Sequence, residues 1–131
     1  MTKHFNYNNK NIAYRSEGEG KAVVLLHGFG EDSNIFNEQI HFLKNYCRLL
    51  VPDLPGSGNS EMLDDSINDI SIDDYAECIY ALLQQEKIHS CIMLGHSMGG
   101  YITLSFAELF PKNLSAFGLI HSTAFADSEE K

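Results

Sequence analysis

Basic residues are scarce in this chain. Lysine and arginine together number nine against eighteen aspartates and glutamates in 131 residues, a formal net charge of −9. Nucleic acids and anionic membranes both demand clustered cationic side chains, so neither is expected as a partner, and the acidity reads as a solubility feature. Apolar runs are short as well. None approaches the ~20 residues that span a bilayer, and Met1-Thr2-Lys3-His4-Phe5-Asn6-Tyr7 lacks the apolar stretch of a secretory signal. Cysteines are few and far apart: Cys47, Cys78 and Cys91 form no C-x-x-C pair and no Cys/His spacing suited to zinc. That excludes a disulfide framework, and two of the three lie in apolar segments where a thiol acts as a small buried hydrophobe. The expectations are a reducing cytoplasm, with no metal and no cofactor. With no internal repeat, low-complexity tract or dividing linker, residues 1–131 read as one unit, and 44% hydrophobic content is enough for a real core.

What the chain does have is alternation. Lys3–Tyr7 and Asn11–Ser16 read as an opening hairpin around Asn8-Asn9-Lys10, and Ala22–Leu26 as a strand buried on both faces. A helix follows with Phe36, Ile40 and Leu43 on one side, then a strand at Arg48–Val51. Ser71 stands three residues before Asp74, the spacing of a capping box, and Tyr75, Ile79, Leu82 and Leu83 continue at helical period. Ser90–Leu94 is a further buried strand, a helix from Met98 carries Ile102, Phe106 and Leu109, and Ser115–Ile120 closes the pattern. Strands alternating with helices predict an α/β fold: a mostly parallel sheet with helices on both faces, whose carboxyl-end loops bring Phe29, Asp53 and Ser97 to one edge.

Two motifs sit on those loops. Gly95-His96-Ser97-Met98-Gly99 lies between a strand and a helix, the context in which a serine on a tight turn becomes an exposed nucleophile. His27-Gly28-Phe29-Gly30 follows the Ala22–Leu26 strand, where glycines let the main chain approach a substrate. Acyl transfer places negative charge on a former carbonyl oxygen, and backbone N–H groups aimed at that oxygen stabilise it; Phe29 and Met98 are the expected donors. The glycine pairs do not indicate a nucleotide site, because neither has the third glycine of a dinucleotide fingerprint or the Gly-Lys-Ser/Thr ending of a phosphate loop. Asp53-Leu54-Pro55-Gly56-Ser57-Gly58-Asn59-Ser60 reads as a sharp turn in which Asp53 bonds nearby amides rather than taking part in chemistry.

Together these three segments resemble the α/β-hydrolase family of serine esterases and lactonases, and Ala126-Asp127-Ser128-Glu129-Glu130 resembles the start of a lid segment in enol-lactonase and acyl-carrier-protein methyl ester esterase relatives. The resemblance implies a hydrolase of small-molecule esters or related acyl bonds, working through a Ser97 acyl-enzyme. It also implies an incomplete core, because the family's acid and histidine follow on later strands and a lid that this sequence does not reach. Among the histidines present, His27 reads as structural and His96 as packing, while His4, His41 and His89 fit a solvated surface. His121, at the end of the Ala116–Ile120 strand, is a candidate base, and Asp127 a candidate acid. The competing expectation is a truncated, non-catalytic fragment whose last strand is an open sheet edge prone to self-association.

Overall fold

The computed structural model describes residues 1–63 and 70–120. Among these residues, six strands form one sheet in the order β1-β2-β4-β3-β5-β6. They are β1 Thr2–Tyr7, β2 Lys10–Glu17, β3 Ala22–Leu26, β4 Arg48–Pro52, β5 Cys91–His96 and β6 Leu114–Ile120. The hairpin β1–β2 and its junction with β4 are antiparallel; β4, β3, β5 and β6 run parallel. The hairpin turn is tighter than the sequence suggested. Tyr7 pairs with Lys10, leaving two loop residues, Asn8 and Asn9, at φ 51° and 66°. Asparagine tolerates that left-handed pair, which matches the twist of the flanking strands.

Strand β3 is apolar at every position, and β4 and β5 are largely so, because both faces are covered. Val24, Leu26, Leu50 and Met93 point into the larger core, beneath helices α2 (Ile72–Gln85) and α3 (Met98–Leu109). Their neighbours Val23, Leu25, Leu49 and Val51 face the other way and meet Phe36, just before α1 (Asn37–Leu43), and Ile40 within it. This period of two, read across parallel neighbours, gives the sheet helices on both sides.

Helix α2 begins where the capping box requires. Ser71 Oγ accepts the Asp74 N–H, and the Asp74 carboxylate accepts the Ser71 N–H. Its apolar stripe of Ala76, Ile79, Leu82 and Leu83 is buried. In α3, Ile102 and Phe106 are fully buried, but Leu109 is 40% exposed, so the third member of the expected stripe faces out. Phe36 also departs from expectation by preceding the α-helix, in a short 3-10 turn over Ser33–Phe36 capped by the Asp32 side chain. Among the described residues the sheet ends at β6, where Phe117 and Ile120 are exposed.

Candidate active site

Strand β5 delivers Ser97 into a turn that few residues adopt. Its φ is 57° with ψ −119°, a conformation that costs a side-chain-bearing residue about 1–3 kcal/mol and persists only where packing imposes it. The packing responsible is visible at the flanking glycines. A methyl group on Gly95 would stand 2.2 Å from the Gly99 carbonyl oxygen, and one on Gly99 would stand 2.3 Å from the Leu26 oxygen and 2.8 Å from the His27 oxygen. The start of α3 therefore lies backbone to backbone against both the end of β5 and the end of β3, which bends the chain sharply between β5 and α3. Ser97 is exposed at the apex, with its N–H donated to the Ile120 oxygen at 3.3 Å.

The loop after β3 reaches the same place. A methyl group on Gly28 would meet Ser97 Cβ at 2.8 Å, so only a bare Cα fits beside the serine. His27 is fully buried and orients this loop. Its Nε2 accepts the Leu54 N–H at 2.9 Å, which leaves the ring proton on Nδ1 to be donated to the Gly28 oxygen at 2.8 Å. The Glu31 N–H also donates to that oxygen, at 3.2 Å. Because the peptide is trans, fixing the Gly28 carbonyl turns the Phe29 N–H in the opposite direction, away from the buried imidazole.

Phe29 and Met98 line one cleft of about 770 Å³, together with Ile35, Met62 and Tyr75. Met98 opens α3, where first-turn N–H groups have no acceptor within the helix. Phe29 exposes 86% of its surface, so its ring stands in the cleft mouth rather than in the core. Two carboxylate residues, Glu31 and Asp32, also line the cleft, and among the described lining residues none is basic. Burial, reinforced by nearby Asp74, pushes the Tyr75 phenol above its usual value and keeps it protonated at neutral pH.

Asp53 lies behind this surface rather than in it. Only 6% exposed, it accepts the Ser33 N–H at 2.9 Å through one oxygen and the Asn59 N–H at 3.0 Å through the other. Gly58 leaves room for that carboxylate, since a methyl there would stand 2.5 Å from it. The turn role expected for Asp53 is thus extended to a tie between two loops. His4, His41 and His89 are exposed, as expected. His96 is not simply a packing residue: its Nδ1 lies 3.1 Å from Glu31 Oε1. Glu31 itself carried no motif signal, because its partners, Gly28 and His96, are brought to it by two different strands. The candidates His121 and Asp127 fall outside the described residues. Among the described residues there is also no cluster of three potential metal ligands, and no helix is long and apolar enough to cross a membrane.

The family model for the alpha/beta hydrolase fold matches residues 21–130. The chain belongs to that family. Among its relatives, the dihydrolipoyllysine-residue acetyltransferase component of the acetoin cleaving system of Pseudomonas putida is 34% identical over 111 residues, covering 83% of this chain and 29% of that protein. The pimeloyl-[acyl-carrier protein] methyl ester esterase of Photobacterium profundum is 30% identical over 112 residues, 86% of this chain and 41% of the esterase. A thermophilic esterase from Thermogutta terrifontis superposes with a TM-score of 0.88 at 26% identity, covering 99% of this chain and 48% of the esterase. The chain therefore spans less than half the length of these relatives. Hydrolases recur among its similar proteins.

Proposed function

We propose that the chain carries the nucleophile and oxyanion-binding part of a serine hydrolase acting on carboxylic esters or related acyl bonds of small molecules. The observation that carries this reading is the contact of the Gly28 loop with the strained, exposed Ser97 turn, beside a cleft that Phe29 and Met98 line. In the reaction, Ser97 Oγ attacks the acyl carbon as a general base takes its proton, and the carbonyl electrons move onto oxygen. The Phe29 and Met98 N–H groups then stabilise the oxyanion, with each such donor worth about 3 kcal/mol at the transition state. Collapse expels the alcohol and leaves an acyl-enzyme, which water releases. The family resemblance puts that base, a histidine, and its acid partner on later strands, and His121 and Asp127 are the candidates within this sequence. A cleft edged by Glu31 and Asp32 favours neutral acyl groups over anionic ones.

A fluorophosphonate probe tests the assignment. Labelling of the wild type that disappears in Ser97→Ala supports it, and labelling that persists in Ser97→Ala rejects Ser97 as the nucleophile.

The second reading, a non-catalytic chain, draws on the length comparison and on β6, which among the described residues is a sheet edge and carries exposed Phe117 and Ile120. On that reading the wild type does not label, and the chain self-associates through this edge, with a sedimentation coefficient that rises with concentration. In the enzyme reading, the reduced state of the three thiols and the acidic charge fit a cytoplasmic protein.

A further inference from the structure

We infer that Glu31 is a positioning residue: its carboxylate clamps the Gly28-Phe29 loop to the turn that presents Ser97. Two hydrogen bonds converge on one oxygen. Glu31 Oε1 accepts the Gly28 N–H at 2.7 Å and lies 3.1 Å from His96 Nδ1. Gly28 belongs to the loop after β3, and His96 is the last residue of β5, immediately before Ser97. One carboxylate oxygen therefore joins the ends of two parallel strands at the point where their loops meet.

The space around Gly28 shows how tightly this joint is drawn. Its absent side chain would point between Ser97 Cβ at 2.8 Å and Glu31 Oε1 at 2.9 Å, so Gly28 is held between the serine and the carboxylate. The next peptide N–H is that of Phe29. With Gly28 N–H bonded to Glu31 and Gly28 C=O bonded to His27 and to the Glu31 N–H, both ends of this residue are fixed, and so is the direction of the Phe29 amide. An oxyanion donor is useful only when it is aimed in advance, because reorienting it during the reaction consumes the stabilisation it provides.

Glu31 makes these contacts with a side chain of intermediate exposure, so its bonds rather than burial keep it in place. A hydrogen bond to a charged acceptor is among the stronger kinds in a protein, and its loss should raise local opening of the loop by at least about tenfold. The negative charge itself works against an oxyanion nearby, which makes the clamp and the charge separable: Glu31→Gln keeps an acceptor oxygen and removes the charge, whereas Glu31→Ala removes both.

The assignment rests on the Ser97 reading above, and two readouts keep the two apart. Amide hydrogen exchange measured by NMR follows the clamp without any need for activity: the Gly28 N–H should exchange at least about tenfold faster in Glu31→Ala and within about threefold of wild type in Glu31→Gln. The rate of Ser97 labelling by a fluorophosphonate follows the consequence: it should fall at least about tenfold in Glu31→Ala, remain above about a third of wild type in Glu31→Gln, and do so at concentrations that saturate the probe, since the clamp orients an amide and does not build the cleft. Unchanged Gly28 exchange in Glu31→Ala overturns the clamp. Faster exchange with unchanged labelling overturns its positioning role. If the wild type does not label, the Ser97 reading is what fails, and the exchange data alone decide the clamp.

Discussion

Replacing Gly99 by alanine sets two effects against each other. Gly99 is the second residue of α3, and on intrinsic propensity alone alanine is better in a helix by up to about 1 kcal/mol. Here, however, the added methyl would lie 2.3 Å from the Leu26 oxygen and 2.8 Å from both the Leu26 carbonyl carbon and the His27 oxygen. These are main-chain atoms of the last residue of β3 and of the residue after it, and β3 is paired to β4 on one side and β5 on the other, so they cannot swing aside as a flexible side chain could. Relief requires α3 to lift from the sheet, and overpacking of this kind costs about 1–3 kcal/mol, more where backbone must move. Sterics should win, with a net loss of about 2 kcal/mol or more; for a chain of this size that is a fall in Tm of about 6–10 °C. Chemical denaturation monitored by circular dichroism measures it. A Gly99→Ala protein as stable as the wild type would refute the backbone contact between α3 and β3 that shapes the Ser97 turn.

Other substitutions probe the surrounding framework. Phe106→Ala, at a fully buried position beneath the sheet, should cost about 3–5 kcal/mol in the same denaturation assay. Asp53→Asn surrenders one of two amide bonds and a charge, and should lose about 1.5–3 kcal/mol while protecting the Ser33 and Asn59 amides less well from exchange. Glu86 joins Tyr14, Lys3 and Arg48 at the end of α2. Burial tends to raise its pKa, but the Tyr14 hydroxyl and the two cations outweigh burial and hold the carboxyl below its usual value. A lowered folded pKa contributes stability that is present above the unfolded value and lost as pH falls through the folded one, so Glu86→Gln should flatten the acid limb of a stability–pH profile. Burial pushes the Cys78 thiol up to about 12 and the Cys91 thiol up to about 11, so in a disulfide-exchange titration at pH 8 the half-buried Cys47 should react first, and the other two only on unfolding.

The parts legible in the sequence are those written in local chemistry. Ser71 and Asp74 announce the start of α2 because a capping box needs only four consecutive residues. Val23 to Leu26 announce a doubly covered strand because no polar residue interrupts them. The Ser97 turn was legible because its glycines stand two residues either side of it, and the coordinates give each a reason in a backbone contact. Readings that failed depended on partners remote in sequence. Leu109 is apolar and correctly spaced, yet it is exposed, and Ile102, Thr103 and Phe106 form the buried side of α3. Phe36 fell in a 3-10 turn because Asp32 and Asp53, seventeen residues beyond it, take up the amides of Ser33 and Asn34. Glu31 stayed hidden because nothing local distinguishes a clamping carboxylate from a solvated one.

The central claim is geometric: Ser97 Oγ and the amides of Phe29 and Met98 surround one reacting atom. A crystal structure of the chain after treatment with a fluorophosphonate tests it directly. The account predicts a phosphonyl group bonded to Ser97 Oγ, with its phosphoryl oxygen about 2.7–3.1 Å from both the Phe29 and the Met98 nitrogen. A phosphonyl group on any other residue, or an oxygen on Ser97 turned away from either amide, would contradict it.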